Sequence, residues 1–281
     1  MAASCTRSGL RRKGRHLAED MSILSRAAGA PDSIVAYGAD PAQIMEVRIG
    51  RDHASRRPLV ILIHGGFWRP DIDRAHLRPM ADALAAAGWT AALPEYARVI
   101  RDPAPTLADL TLILTRAAGS VEHHNGSVVL VGHSAGGHLA LWAAAARICP
   151  VLAGTLALGP AADLLLAHEL GLGNGAVSRF LGADPVSRPD IDPRQMPAAV
   201  SATTIVHGTD DATVPLVVSE SYAAAHPQVR LITVADAGHF ALIDPLAPAW
   251  STVVAELARL PDGAATDRPS RSPHTRTAAS S

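Results

Sequence analysis

Residues 128–138, with the sequence VVLVGHSAGGH, constrain the fold of this chain more than any other stretch. Four apolar residues, three of them β-branched, predict a buried strand, and the alanine-rich run from Leu139 to Arg147 predicts a helix. Between them, residues 132–136 fit the pattern G-x-S-x-G. A sharp strand-to-helix turn exposes its central serine at the carboxyl end of a sheet, and it needs glycines because a Cβ there would collide with neighbouring backbone. Ser134 is therefore the predicted nucleophile.

The composition predicts a well-packed domain without a strongly charged surface. The chain has 281 residues, of which 48% are hydrophobic and 18% are charged, which suits one large α/β domain or two small ones. The formal net charge of −1 gives no electrostatic reason to bind nucleic acid or an anionic membrane. No apolar run reaches the length that spans a bilayer, and two cysteines do not make a disulfide framework. We expect a cytoplasmic protein, and the sequence does not determine its oligomeric state.

The chain divides into a central domain and two tails. Residues 1–33 begin with a basic stretch that lacks the apolar core of a secretory signal, which predicts a disordered tail, and Met21 is an alternative candidate for the first residue. Residues 34–260 carry the predicted domain. Within it, residues 160–200 lose regular alternation, which predicts either a cap-like insertion over the sheet edge or an irregular connection. Residues 261–281 are rich in Pro, Ser, Thr and Arg, which predicts a second disordered tail.

Predicted strands and helices alternate through the central domain. The strands are predicted at residues 43–49, 59–63, 90–94, 128–131, 155–158, 203–207 and 230–234. The helices are predicted at residues 74–87, 106–118 with Thr106 as the N-cap, 139–147, around 222–225, and 246–260. This alternation predicts an α/β fold with a doubly wound, mainly parallel sheet. Ligands bind such sheets at the carboxyl ends of the strands.

A serine nucleophile needs a base to take its proton, and the base needs a third group to orient it. The predicted strand at 230–234 is followed by ADAGHF, which makes His239 the candidate base. The strand at 203–207 is followed by GTDDATVP, which offers Asp211 or its neighbour Asp210 as the orienting acid. The two carboxylates are adjacent, so their position in the chain does not choose between them.

An oxyanion hole requires backbone N–H groups beside the serine. The sequence HGGFW at residues 64–68 forms a glycine-rich turn directly after a predicted strand. The predicted donors are the N–H groups of Gly66, Phe67 and Ala135. No His, Cys, Asp or Glu set has the spacing of a metal site, and no phosphate-binding glycine pattern stands at a strand-to-helix junction, so we expect no metal and no cofactor.

These motifs together resemble the α/β-hydrolase superfamily, in particular its esterase/lipase group near hormone-sensitive lipase and kynurenine formamidase. The resemblance covers about residues 34–258 and includes the elbow sequence GHSAGGH, the base sequence GHF and the acid-loop pattern G-x-x-D-x-x-V-P. The acid-loop match assigns the orienting acid to Asp211. The turn HGGFW resembles the formamidase pattern H-G-G-x-W more than the lipase pattern H-G-G-G, with specific matches at Gly65, Gly66 and Trp68.

The resemblance implies hydrolysis of a small carboxylic ester or an N-formyl amide through an acyl-serine intermediate. It places His64, Gly65 and Trp68 at the substrate pocket, and we expect the rings of Phe67 and Trp68 to limit the size of the acyl group. A peptidase of the prolyl-oligopeptidase type is one alternative, although no propeller-like domain fits in this chain. A non-catalytic binding module is the other, although such proteins usually lose a member of the triad.

Overall fold

One eight-stranded sheet carries the fold. The computed structural model describes residues 19–52 and 54–260. In chain order the strands are β1 Ser33–Ala36, β2 Ile44–Arg48, β3 Leu59–Ile63, β4 Ala91–Pro94, β5 Val128–His133, β6 Leu152–Leu158, β7 Ala202–Gly208 and β8 Arg230–Val234. Their order in space is β1-β2-β4-β3-β5-β6-β7-β8. Strand β2 is antiparallel to both of its neighbours, and the other pairs are parallel. The mainly parallel sheet expected from the sequence is confirmed.

Helices cover both faces of the sheet. Within the described residues they are α1 Arg78–Ala86, α2 Ala104–Ser120, α3 Ala135–Ala145, α4 Leu164–Glu169, α5 Leu172–Leu181, α6 Val217–Ala225 and α7 Trp250–Arg259. Alternate side chains of β3 point to opposite faces, so Ile61 packs in the cluster that contains α2 and α3, and Leu62 packs with α1 and α7. Because both faces of β3 are buried, its sequence is a continuous apolar run, and the sheet is doubly wound as predicted.

Helix α2 begins differently from the sequence prediction. Pro103 occupies the N-cap position, and a second proline, Pro105, follows in the first turn, where the missing N–H leaves no helical hydrogen bond unmade. Thr106 lies inside the helix, and its hydroxyl donates to the carbonyl of Ala97 at 2.6 Å. The prediction of Thr106 as the N-cap is therefore wrong.

The 160–200 region is more regular than its sequence indicates. It contains α4 and α5, whose Leu164 and Phe180 pack in the same cluster as Trp68, directly beyond the carboxyl end of β3. Helix α5 opens with Gly173, Asn174 and Gly175 in left-handed backbone at φ 56°, 56° and 80°. Glycine and asparagine adopt this backbone readily, and at these three positions they interrupt the apolar pattern of a regular helix. The sequence of the region therefore does not reveal its helices. We call residues 164–181 the cap.

The segment before β1 packs against the domain. A 3-10 helix at Ser22–Ser25 buries Ile23, which is 1% exposed. Arg26 forms an ion pair with Asp244, with Nη2 at 2.9 Å from Oδ2, and the N–H of Gly29 donates to Asp82 at 2.8 Å. Residues 19–33 therefore do not form the tail that the sequence predicts. The rest of that predicted tail, residues 1–18, and the predicted tail at 261–281 lie outside the described residues.

The junction of β5 and α3 is packed too closely for any side chain at its glycines. A Cβ on Gly136 would lie 2.0 Å from the carbonyl oxygen of Ile63 in β3, and one on Gly132 would lie 2.2 Å from the carbonyl oxygen of Gly136. The obstacles are backbone atoms, which cannot move without displacing a strand. Both glycines of the G-x-S-x-G pattern are therefore required by close approach.

We predict that Gly136→Ala destabilises the protein by more than about 3 kcal/mol, because the new methyl group would force α3 away from β3. Gly119, near the end of α2, has nothing within 4 Å of an added Cβ. Gly119→Ala should therefore stabilise the protein by about 0.5–1 kcal/mol. Urea unfolding measures both free energies, and equal midpoints for the two variants would contradict the packing argument.

Candidate active site

Ser134 lies at the sharp turn between β5 and α3. Its backbone has φ 58° and ψ −121°, a region that a residue with a side chain rarely adopts. The strain is held by hydrogen bonds on both sides, since the Ser134 N–H donates to the carbonyl of Leu158 at 2.9 Å and the N–H of His138 donates to the Ser134 carbonyl at 3.1 Å. The predicted nucleophile therefore stands where the elbow motif requires it.

His239 and Asp211 are joined by a short hydrogen bond. The Nδ1–H of His239 donates to Oδ2 of Asp211 at 2.6 Å, and the other carboxylate oxygen accepts the N–H groups of Thr213 at 2.9 Å and Val214 at 2.7 Å. Asp210 is exposed, and its carboxylate accepts only the hydroxyl of Thr209 among the described residues. The geometry thus pairs His239 with Asp211, whereas position in the chain left the two carboxylates open.

His207 is a second partner of Asp211 that sequence reasoning missed. It is the penultimate residue of β7 and fully buried, with Nε2 at 2.8 Å from the carbonyl oxygen of Val214 and 3.3 Å from Oδ2 of Asp211, and with Nδ1 at 2.7 Å from the hydroxyl of Ser219. Burial by itself raises the pKa of the Asp211 carboxyl, but hydrogen bonds from His207 and His239 outweigh it and hold that pKa well below its usual range. Asp211 is therefore ionised and fixed in position throughout the neutral range.

Gly159 makes room for this acid–base pair. Its φ is +49°, and an added Cβ would lie 3.0 Å from Oδ2 of Asp211 and 3.2 Å from Nδ1 of His239. The residue follows β6 directly, so the backbone passes beside the pair without a side chain. A glycine at the carboxyl end of a predicted strand was the available signal, although the sequence does not show which side chains it must clear.

Ser134 and His239 line one cavity, which we call the Ser134 cavity. Its volume is about 390 Å³, and it is bordered by apolar side chains that include Met21, Leu24, Phe67, Ile72 and Phe240. Among the described residues neither the Ser134 hydroxyl nor Nε2 of His239 makes a hydrogen bond with protein. Catalytic hydrogen bonds are often long or absent in ligand-free enzymes, and they shorten or form when substrate binds.

The HGGFW turn at 64–68 touches the nucleophile. A Cβ on Gly65 would lie 2.8 Å from the His133 carbonyl oxygen and 2.9 Å from Cβ of Ser134, so the turn could not approach with any larger residue. Phe67 has φ 51°, and within the described part of the chain the N–H groups of Gly66, Phe67 and Ala135 donate to no protein acceptor. Three unsatisfied donors beside a strained serine are what an oxyanion hole provides.

The side chain of His64 packs behind this turn and does not line the Ser134 cavity. Its ring is fully buried, stacks on Tyr96 with centroids 4.3 Å apart, and bonds through Nδ1 to the carbonyl of Gly65 at 2.8 Å. Burial lowers the pKa of His64, so the ring is neutral and Nε2 accepts from Arg98 at 3.1 Å. The expectation that His64 lies at the substrate pocket is therefore not met, because its ring is held under the turn.

Trp68 is also absent from the cavity wall. Its side chain is 4% exposed and stacks on Phe180 of the cap with ring centroids 4.8 Å apart, while His138 of α3 meets it edge-on at 5.2 Å. Only Phe67 of the two expected aromatic residues borders the cavity. Trp68 has φ 54°, which turns its ring away from the serine and into the apolar cluster between cap and sheet.

His133, the residue before the nucleophile, contacts the predicted base. Its ring centroid lies 4.4 Å from that of His239, and its Nε2–H donates to the backbone carbonyl of His239 at 3.1 Å. Burial and the nearby His239 lower the pKa of His133 well below its usual value, so this ring stays neutral at neutral pH. The elbow motif places His133 next to the nucleophile in the chain, but no spacing in the sequence indicates its contact with the His239 backbone.

In the described ranges, 19–52 and 54–260, no three His, Cys, Asp or Glu side chains gather as metal ligands. No helix in that part of the chain has both the length and the apolarity needed to cross a bilayer.

Comparison with known proteins shows that the chain has the α/β-hydrolase fold. A family model described as BD-FAE matches residues 45–155, which include the HGGFW turn and the elbow. No curated protein matches the sequence.

Three solved structures illustrate the likeness of the fold. A Silicibacter sp. protein provisionally assigned as a thioesterase is 22% identical with a TM-score of 0.67, covering 81% of this chain and 86% of its own. Esterase B of Lactobacillus rhamnosis, inhibited by a tributyrin phosphonate, is 20% identical with a TM-score of 0.65, covering 82% and 86%. An esterase of Thermogutta terrifontis is 21% identical with a TM-score of 0.62, covering 84% and 94%, and it has also been solved with propionate bound.

We predict that Asp211→Asn lowers kcat of the hydrolysis proposed below by a factor on the order of 10³–10⁴, because the amide no longer holds the imidazole in the required tautomer. Asp210→Asn removes an exposed carboxylate one residue away and should change kcat by less than about twofold. Steady-state kinetics on an activated ester measure both variants. A larger loss for Asp210→Asn would transfer the orienting role to that residue.

Proposed function

We propose that the protein is a serine carboxylesterase that acts on small esters. The observation that carries this proposal is the 2.6 Å hydrogen bond between His239 and Asp211 at a cavity that also exposes the strained Ser134. The match to the BD-FAE model and the esterases among the solved structures of similar fold support an ester as the substrate class.

In the proposed reaction, the Ser134 hydroxyl attacks the ester carbonyl carbon while Nε2 of His239 takes its proton. Asp211 stabilises the imidazolium, and the N–H groups of Gly66, Phe67 and Ala135 bind the oxygen that becomes negative. The carbon–oxygen bond to the alcohol then breaks as His239 returns the proton to the alkoxide. Water attacks the acyl-serine with His239 again as base, which releases the carboxylic acid and restores the enzyme.

The proposal is tested with an active-site-directed covalent probe and a panel of substrates, applied to wild type and to Ser134→Ala. We expect a fluorophosphonate to label wild type, p-nitrophenyl acetate to be hydrolysed, and Ser134→Ala to lose turnover by a factor on the order of 10⁴–10⁶ while remaining folded. Unchanged turnover in folded Ser134→Ala, or a wild type that neither labels nor hydrolyses esters, would contradict the proposal. The second result would favour the non-catalytic binding module.

The same panel separates the substrate classes raised by the sequence. The pattern H-G-G-x-W suggests a formyl amide as the alternative substrate, so N-formyl-L-kynurenine belongs beside the esters. A prolyl peptide substrate tests the peptidase alternative. We expect a higher kcat/KM for short-chain esters than for either amide, and the reverse order would assign the chain to an amide-cleaving class.

Phe67 should set the length of the acyl group. Its ring borders the Ser134 cavity and is backed by Gly173 of the cap, where an added Cβ would lie 2.8 Å from Cδ1 of Phe67. The ring therefore packs directly against the backbone of Gly173, which limits how far it can retreat from a long chain. The cavity of about 390 Å³ is near the lower end of ligand pockets in general.

We predict that kcat/KM falls steeply from acetyl to octanoyl p-nitrophenyl esters, and that Phe67→Gly flattens this decline. Glycine accepts the left-handed backbone at this position, so the turn is retained. Gly173→Ala should displace the ring and change the profile, whereas Gly175→Ala, also left-handed but with nothing within 4 Å of the new methyl, should not. A wild-type preference for octanoyl, or one profile for all variants, would show that Phe67 does not shape the site.

A further inference from the structure

The first described residues of the chain reach the candidate active site. Met21 and Leu24 line the Ser134 cavity, although they precede β1 and carry no part of the sequence motifs. They flank Ile23, which is 1% exposed and packs with α1 and α7, so the cavity-lining side chains project from a turn whose own apolar residue is buried. We call residues 19–26 the N-terminal strap.

The strap is fixed downstream of these side chains. Arg26 pairs with Asp244, which follows the 3-10 helix at Phe240–Leu242, with Nη2 at 2.9 Å from Oδ2. Hydrogen bonds and the charge of Arg26 lower the pKa of Asp244, so the ion pair persists at neutral pH. One end of the strap is thus attached to the segment that carries the predicted base.

Glu19 attaches the other end of the strap to the His239 loop. Its Oε1 accepts the N–H of Phe240 at 2.7 Å, and it packs over Gly238, where an added Cβ would lie 2.7 Å from the same oxygen. A glycine at 238 therefore allows the carboxylate to lie directly on the loop. Glu19 contacts the residues on both sides of His239.

One peptide group now carries two hydrogen bonds. The carbonyl of His239 and the N–H of Phe240 belong to the same planar peptide unit. The carbonyl accepts from Nε2 of His133 at 3.1 Å, and the N–H donates to Glu19 at 2.7 Å. Fixing this plane from two sides restricts ψ of His239 and therefore the direction in which its side chain leaves the backbone.

We propose that two residues of the N-terminal strap serve this active site: Glu19 is a positioning residue for His239, and Leu24 determines which apolar group of the substrate the cavity accepts. The inference rests on the proposed esterase function. The imidazole must receive a proton from Ser134 while it remains bonded to Asp211, and small displacements of a catalytic group cost large factors in rate. Glu19 limits that displacement without touching the substrate.

The positioning role is tested in the full chain with Glu19→Ala, Glu19→Gln and the neighbouring control Asp20→Asn. Asp20 is exposed and accepts the N–H of Ser22 at 2.9 Å, without a contact to the His239 loop among the described residues. We expect Glu19→Ala to lower kcat about tenfold with KM within about twofold, because transition-state geometry and not binding is lost. Glutamine keeps an oxygen acceptor, so Glu19→Gln should stay within about threefold of wild type.

Two results would overturn the positioning role of Glu19. One is a kcat of Glu19→Ala equal to that of wild type and Asp20→Asn. The other is an equal loss for Glu19→Ala and Glu19→Gln, which would make charge responsible instead of the hydrogen bond to Phe240. Circular dichroism confirms that each variant is folded before its kinetics are compared.

The specificity role is tested with Leu24→Ala against Leu170→Ala. The two leucines are 37% and 46% exposed, but only Leu24 lines the cavity. One ester series varies the acyl chain on a fixed phenol, and another varies the alcohol on a fixed acetyl group. In either the acyl series or the alcohol series, we expect Leu24→Ala to raise kcat/KM for the longer esters, relative to the shortest ester, by at least about threefold. The reason is that the substitution removes a side chain from the cavity wall. Unchanged profiles in both series would overturn the role of Leu24.

The activity of wild type distinguishes an incorrect role for the strap from an incorrect function for the protein. If wild type hydrolyses no ester and takes no fluorophosphonate, the proposed function fails and the strap has no reaction to assist. If wild type is active and the Glu19 and Leu24 variants match their controls, the esterase proposal stands and the strap is only a structural element.

Discussion

The close approach of α3 to β3 is the constraint on which the rest of the site depends. Because Gly132 and Gly136 carry no side chain, the helix begins within van der Waals distance of the neighbouring strand, and Ser134 is driven to a positive φ. The same approach brings the HGGFW turn, which follows β3, against the serine. Nucleophile and candidate oxyanion donors are thus placed by one packing event at the centre of a parallel sheet.

Two neutral imidazoles, those of His76 and His133, line the Ser134 cavity together with the predicted base. Burial lowers the pKa of His76 to about 4, and burial with the nearby His239 lowers the pKa of His133 well below its usual value. These two rings therefore add no positive charge beside His239 at neutral pH. An imidazolium formed at His239 would keep its short hydrogen bond to the ionised Asp211 in a poorly solvated site, which is the arrangement that favours transient proton transfer.

Sequence reasoning reached the parts of the structure that depend on local pattern and chain order. Alternating apolar runs and helices predict the parallel sheet, and such a sheet places Ser134, Asp211 and His239 at one edge whatever the details of packing. The contacts of His207, Gly159 and Glu19 depend on which loops meet in three dimensions, and no spacing reveals them. For the same reason the sequence located Trp68 beside the serine by adjacency, whereas a left-handed turn points its ring elsewhere.

The stack of Trp68 on Phe180 ties the cap to the HGGFW turn. Lifting the cap would return to water the ring of Phe180 and the face of the Trp68 indole that it covers, two side chains that are now 3% and 4% exposed, at a cost of several kcal/mol. The cap is therefore a fixed brace behind the HGGFW turn and not a gate. Because no residue of the cap is among the described residues that line the Ser134 cavity, entry to that cavity does not depend on movement of the cap.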